Sequence, residues 1–370
     1  MPNPNRCRWR GVNLGGWLVL EKWMTPSLFA GRTATDETTW CAELGADARA
    51  VLGEHWRRWI TREDFLWLAS IGIDAVRLPL GHWVLGPPYP WHPAYGSARQ
   101  PFVEGGIDVV DRVMDWAGEC GIAVMLDLHA APGCQNGFDN GGILNTCDWP
   151  ARAEYIDHSV ELLGRLAARY RGQRAFAAIE VLNEPRWDIP TPLLHDYYRR
   201  AYAAVRAHAP AGEVTVVFHD GFRPAAEYAG YFDPAVFTDV AYDVHRYQCF
   251  ERADLDLDIG GHVAKAGVDW AAEAERTQQT VGIPALAGEW SLGLDLRVVS
   301  LWHPGPYDHA LDHVDRYGED IALRAYAGAQ LTSFERYRAG WFFWSYRTET
   351  TPAWSFRDAV TRGWLPSRFD

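Results

Sequence analysis

Eight short apolar segments that close on polar residues, with helical patterns between most of them, constrain this chain more than any other feature. They are residues 10–16 (RGVNLGG), 74–80 (DAVRLPL), 123–129 (AVMLDLH), 178–184 (AIEVLNE), 214–220 (VTVVFHD), 240–247 (VAYDVHRY), 284–290 (PALAGEW) and 340–346 (GWFFWSY). Helical periodicity occupies 63–70, 107–119, 152–170, 192–208, 261–281 and 319–338. Strands that are apolar on both faces and separated by helices imply a parallel sheet. Eight such units predict an α/β fold closed into a (β/α)8 TIM barrel, with a doubly wound open sheet as the alternative. No Pro-, Gly- or Ser-rich linker and no repeat divides residues 1–370, so a single domain is expected. Long connections at 81–101, 130–150 and 291–317 would crowd the C-terminal face, where barrel active sites sit.

With 48% hydrophobic and 22% charged residues, 370 residues can bury a large core. Thirty-five Lys and Arg against 48 Asp and Glu give a net charge of −13, which repels nucleic-acid phosphates and anionic lipid. No apolar run reaches the ~18 residues of a membrane span. The opening MPNPNRCRWR lacks the apolar stretch of a signal peptide, so a cytoplasmic protein is expected. Six cysteines are too sparse for a disulfide scaffold and none are spaced C-x-x-C, although Cys134 and Cys147 are near enough in sequence to pair locally. Aromatic residues make up 14%, including 19 Trp. Flat rings stack on the C–H faces of pyranoses, so carbohydrate binding is one explanation and a Trp-rich core is the other.

The strand ends carry the chemistry: Arg77 in the second, Asp127 and His129 in the third, Asn183 and Glu184 in the fourth, His245 and Tyr247 in the sixth. Glu289 and Trp290 close the seventh, and Trp344 lies near the end of the eighth. Such groups are seldom buried without partners, so their convergence on one barrel mouth is hard to attribute to packing. The ends of strands four and seven face each other across a barrel of eight, which lets Glu184 and Glu289 form a carboxylate pair. Two carboxyl groups about 5 Å apart are what a retaining glycosidase needs, one attacking the anomeric carbon and one protonating the leaving oxygen. Either glutamate taken alone is equally an ordinary strand-end ion pair.

Leu182-Asn183-Glu184-Pro185 after an apolar strand resembles the acid/base signature of glycoside hydrolase family 5 in clan A. The segments RGVNLGGWLVLEKWMTPSLF (10–29), HWRRWITREDF (55–65) and DLHAAPGCQNGFDNG (127–141) resemble the fungal exo-β-1,3-glucanases of that family, and the likeness extends over nearly the whole chain. It implies a retaining β-glucosidase that acts on β-glucans or small β-glucosides and needs no metal or other cofactor. Position by position it implies Glu289 as nucleophile, Glu184 as acid/base, and Asn183 on the sugar 2-hydroxyl. Arg77 and Tyr247 would orient Glu289, while His129, His245, Asn140 and Trp344 would line the glucose site, Trp344 as its stacking floor. Glu21 would close the blind end, and Phe138 and Phe250 would clamp the next sugar. An arginine beside Glu289 should keep it ionised, whereas desolvation and a neighbouring carboxylate should raise the proton affinity of Glu184.

Two further readings come from other features. His309 and His313, four apart beside Asp308 and Asp312, have a spacing that suits a metal on one helix face, or a solvated loop. A catalytically dead, glucan-binding barrel should have lost Glu184, Glu289 or their orienting groups, and this sequence keeps them. A β-diglycosidase resembling fungal rutinosidases, or a transglycosidase, would use the same site, the former with its blind end opened.

Overall fold

The computed structural model describes residues 8–86, 102–294, 311 and 316–369. His309, His313 and most of the connections at 81–101 and 291–317 lie outside the described residues. Eight parallel strands close into a barrel in sequence order: β1 Trp9–Asn13, β2 Ala75–Gly81, β3 Ala123–Ala130, β4 Phe176–Glu180, β5 Thr215–His219, β6 Val240–Arg246, β7 Ala285–Trp290 and β8 Gly340–Phe343. β1 pairs with β8 from Trp9 opposite Gly340 to Val12 opposite Phe343, which seals the cylinder. The architecture is the expected (β/α)8 barrel, not an open sheet.

Side chains two apart on a strand share a face. Ala75, Met125, Ala178, Val217, Ala241, Leu286 and Phe342 pack together as the apolar floor inside the barrel. Two residues further along six of those strands come Arg77, Asp127, Glu180, His219, Asp243 and Gly288. A polar tier therefore stands on an apolar floor, and its five side chains other than glycine are fully buried. Outside, helices Arg62–Ser70, Ile107–Cys120, Ala153–Tyr170, Thr191–Arg206, Trp270–Val281 and Arg316–Phe334 cover the strands.

Several expected boundaries move, β1 ending at Asn13 rather than at residue 16 and β8 at Phe343 rather than at residue 346. β4 ends at Glu180 rather than running to Glu184. Beyond it the chain bonds irregularly, Val181 N–H to Val217 C=O and Asn183 N–H to Leu128 C=O, and Glu184 turns left-handed at φ 44°. The helical pattern at 261–281 is three pieces, Ile259–Ala264, a π-helical Lys265–Asp269 and Trp270–Val281. At the π stretch the Ala266 carbonyl accepts from Ser333 of the Arg316–Phe334 helix, a side-chain insertion of the kind that interrupts an α ladder. Cys134 and Cys147, near enough in sequence to pair, are free thiols. The Cys134 sulfur turns inward, accepting the Gly137 N–H at 3.2 Å and lying 3.3 Å from Asn136 Oδ1.

The turn after β1 is clamped by helix Ala48–Arg58 and the residue that follows it. His55 Nε2 meets the Gly16 carbonyl at 2.7 Å and the Trp59 indole donates to the Gly15 carbonyl at 3.0 Å. Burial is the main cause that pushes His55 down to about 4. The folded value lies below the unfolded 6.5, so this neutral imidazole's contribution is complete above pH 6.5 and is lost as pH falls through about 4. Between pH 7 and 4 it should cost the wild type about 3 kcal/mol. His55→Gln keeps an N–H for Gly16 without the titration, so its unfolding free energy, measured by urea denaturation, should fall less over that range by about that amount. Equal falls in both proteins would refute the assignment.

Candidate active site

Arg77, near the middle of β2, is fully buried and meets five oxygens within hydrogen-bonding distance. Its Nε donates to Glu180 at 2.7 Å, Nη1 to Asn13 and to Glu289 at 2.9 Å each, and Nη2 to Asn183 at 2.7 Å. Nη2 also pairs with Asp127 at 3.0 Å. A guanidinium has five N–H groups, and each here has an oxygen to face. Asp127 in turn meets His129 Nδ1 at 2.7 Å, which orients that ring.

Glu289 is gripped from two sides, by Arg77 on Oε1 and by the Tyr247 hydroxyl on Oε2 at 2.8 Å. Glu184 accepts the Asn140 amide at 2.9 Å and meets His245 Nδ1 at 2.7 Å. That same nitrogen lies 3.4 Å from Glu289 Oε2. The two distances hold the facing carboxylate oxygens to about 6 Å or less, so both carboxylates face one site. On its other edge His245 faces Asp243 at 3.5 Å.

Burial opposes the charge of His245, Glu184 and Glu289 alike. For His245 the nearby Glu289, Asp243 and Glu184 outweigh it and hold the imidazole well above its usual range, as an imidazolium. Burial would raise Glu184, but the hydrogen bond and charge of His245, helped by Asn140, leave it lowered. Glu289 is raised by burial, against the pull of His245 and Arg77. This is the reverse of the expected division, in which Glu184 held the proton. The cause is the position of the His245 proton, which lies nearer Glu184.

Three residues expected to bind sugar turn buried polar atoms that have no protein partner among the described residues: Glu21 Oε1, His129 Nε2 and Asn183 Nδ2. Unpaired buried polar atoms are costly and call for a ligand or water. Glu21 is otherwise held by the Trp23 indole at 2.9 Å, and burial followed by the Asp139 carboxylate keeps it well above the usual carboxylate range, as a neutral donor. Trp344 is buried parallel to the His129 ring, 4° apart in tilt and 5.4 Å between centroids, and contacts Gly15. Phe250 is exposed at the rim, 5.4 Å from Tyr247, and Phe138 is half-buried on the loop that carries Asn140.

Asn13, Glu180, His219 and Asp243 belong to the same cluster and were given no role from sequence. Their signal was a polar side chain at an inward, period-2 position of an apolar strand. Among the described residues, Glu184, His219 and His245, and likewise Glu180, Asp243 and His245, bring ligand-type atoms within 4.8 Å of one another. His219 Nδ1 accepts the Gly221 N–H, so its other nitrogen carries the hydrogen, and Arg77 and His245 already supply positive charge to the carboxylates. The set is better suited to organic acid/base work than to holding a cation.

A family model described as Cellulase (glycosyl hydrolase family 5) matches residues 50–349. A protein of Aspergillus fumigatus named "Probable glucan 1,3-beta-glucosidase A" is 36% identical over 385 aligned positions, which cover 97% of this chain and 87% of the relative. The "Glucan 1,3-beta-glucosidase" of Blumeria graminis is 34% identical, covering 99% and 88%. Among solved structures, a rutinosidase from Aspergillus niger superposes with a TM-score of 0.77 at 19% identity, covering 96% of this chain and 97% of that one, a likeness of fold. A facing carboxylate pair, on a barrel matched over this length, leaves one conclusion: the chain belongs to glycosyl hydrolase family 5 and is a glycoside hydrolase.

Proposed function

We propose that this enzyme is a retaining, exo-acting β-glucosidase that releases single glucose units from the non-reducing ends of β-1,3-glucans and from small β-glucosides. The observation that carries the reading is the pair Glu184 and Glu289 bridged by one imidazole nitrogen. The names of the relatives at about 35% identity supply the linkage, and Glu21, buried with one oxygen unpaired, supplies the closed end.

In the first step a Glu289 oxygen attacks the anomeric carbon as its bond to the leaving oxygen breaks, and that oxygen takes a proton from Glu184. The proton is at hand on His245 Nδ1, 2.7 Å from Glu184, and passes along an existing hydrogen bond. Arg77 and Tyr247 hold Glu289 aimed. Once the glycosyl ester forms, Glu289 is neutral, and Glu184 accepts a proton from the water that cleaves the ester with net retention.

Incubation with a 2-deoxy-2-fluoro-β-glucoside bearing a good leaving group should label one peptide, at Glu289, and NMR should show β-glucose as the first product from laminarin. A label elsewhere or an α product first would overturn the mechanism. Internal laminarin fragments would mean an open cleft, and intact rutinose from rutin would mean a diglycosidase.

The shared proton gives a pH test. Its retention depends on His245, held above its ordinary value by Glu289, Asp243 and Glu184 despite burial. In His245→Asn the carboxyl of Glu184 must keep the proton alone, and a carboxyl releases it at lower pH than such an imidazolium. The alkaline limb of kcat/KM should therefore shift to lower pH in the variant. A limb that stays in place would remove His245 from the proton's path.

A further inference from the structure

Glu184 holds its charge against burial through two neighbours, His245 first and then Asn140. The two differ in one respect. An imidazolium carries hydrogen on both nitrogens and meets a carboxylate correctly whichever edge it presents, whereas an amide has one donor end and one acceptor end. A half-turn of the Asn140 amide would set its oxygen against Glu184 Oε2 and turn an attraction into a repulsion. The orientation of that side chain therefore has to be fixed from elsewhere on its loop.

We infer that Asn136 is the positioning residue that fixes it: Asn136 decides which end of the Asn140 amide reaches Glu184, and so aims the acid/base through Asn140. The inference rests on the glycosidase reading above and adds a residue to which that reading gives no part. The decision starts from two backbone N–H groups, which can only donate. Phe138 N–H donates to one end of the Asn136 amide at 2.9 Å, so that end is Oδ1. Gly137 N–H donates to Cys134 Sγ at 3.2 Å, which leaves the thiol hydrogen for the same Oδ1, 3.3 Å away. Asn136 therefore has only its NH2 end for Asn140, and the atom that accepts there, at 3.0 Å, is Asn140 Oδ1. Asn140 in turn has only Nδ2 left for Glu184, at 2.9 Å.

Packing leaves this row no room to turn. Asn136 and Cys134 are buried, and a Cβ at Gly141 would fall 2.2 Å from Cys134 Sγ and 2.9 Å from Asn136 Oδ1, so the chain presses on both. The loop closes around them through Asn145 N–H to Gly137 C=O at 2.8 Å and Trp149 N–H to Cys134 C=O at 3.2 Å. Within such a row each bond polarises the next, so an Asn140 whose oxygen is engaged is a stronger donor to Glu184. A carboxylate held in this way on Oε2, with His245 on Oε1, meets the leaving oxygen in one orientation, which is what efficient proton transfer requires.

The test reads kcat/KM, which reports the breaking of the glycosidic bond, on two substrates that differ in their need for a proton. Phenyl β-glucoside needs one at its leaving oxygen and dinitrophenyl β-glucoside does not. Asn136→Leu, which has no N–H to give Asn140, should lose about five- to twentyfold more on the first than on the second. Asn140→Ala should shift that ratio by a similar factor, and adding Asn136→Leu to it should shift the ratio no further. Asn136→Ala, which leaves room for water at the Phe138 N–H, should give the same direction of change and serves if the leucine variant does not fold. A readout that needs no turnover is hydrogen exchange at the Asn140 side-chain amide, followed by NMR with isotope-labelled asparagine, which should speed up about tenfold or more in either Asn136 variant. Equal losses on both glucosides, no loss, a further shift in the double variant, or unchanged exchange would overturn the inference. If Glu184→Ala costs the same on both glucosides, the acid/base reading fails by itself, and the amide exchange would still decide whether Asn136 fixes Asn140.

Discussion

The guanidinium of Arg77 is the interaction on which the rest of the site depends. Its five oxygen partners come from β1, β3, β4, the turn beyond β4, and β7, so one side chain fixes the relative positions of Asn13, Asp127, Glu180, Asn183 and Glu289. A lysine offers three donors from a single point and has no comparable reach. The arrangement also demands that charge be rationed, because several buried carboxylates surround two cations. Burial, with Asp243 and Asp127 nearby, raises Glu180 well above its ordinary range despite Arg77. A neutral Glu180 leaves Arg77 free to serve Asp127 and Glu289. Breaking such a buried network by removing one partner typically costs about 3–5 kcal/mol, so the geometry of the site and the stability of the barrel share a residue.

Backbone geometry completes what Arg77 begins. Gly288, just before Glu289, sits where any Cβ would fall 1.9 Å from an Asp243 carboxylate oxygen, and its N–H donates to Asp243 at 2.6 Å. Asp243 is thereby fixed beneath His245, and the strand that carries Glu289 is fixed to β6. Glu184, by contrast, leaves the ladder and adopts a left-handed φ that side chains with a Cβ rarely accept. Four flexible residues after a strand would place a carboxyl loosely. The neighbouring Gln135 side chain, which bonds the Asn183 carbonyl at 2.8 Å and the His129 carbonyl at 2.7 Å, holds this departure in place.

The fold was legible because the alternation of apolar strands and helical patterns maps directly onto burial, and polar strand ends mark one mouth of a barrel. That Glu184 and Glu289 meet across the barrel was legible by the same logic. Glu180 and Asp243 were not, since they lie inside strands where a lone acidic residue reads as noise until its inward neighbours are known. The end of β4 was missed because VLNE continues an apolar run, and nothing local announces that Glu184 turns left-handed. The proton distribution was missed for a different reason. Sequence places Arg77 near Glu289, but only coordinates show that the His245 nitrogen lies 2.7 Å from one glutamate and 3.4 Å from the other.

Tryptophan content pointed both to a core and to sugar binding, and the structure divides it between them. Trp17, Trp40, Trp83, Trp149, Trp290 and Trp341 are fully buried. Several use the indole N–H as a strut: Trp17 donates to the Trp56 carbonyl at 3.1 Å, Trp40 to the Leu28 carbonyl at 2.8 Å, and Trp149 to Ser159 at 3.1 Å. A ring that fills volume and also satisfies a backbone carbonyl suits the crowded layer between barrel and helices, where loop carbonyls must be paired. A second group lies near Glu184 and Glu289: Trp23 on Glu21, Trp344 beside His129, and Trp354 packed between Trp23 and Tyr247. Through Trp354, the Trp23 that bonds Glu21 and the Tyr247 that bonds Glu289 become one packed unit. A change at Trp23 would therefore be felt, through Trp354 and Tyr247, at the carboxylate of Glu289.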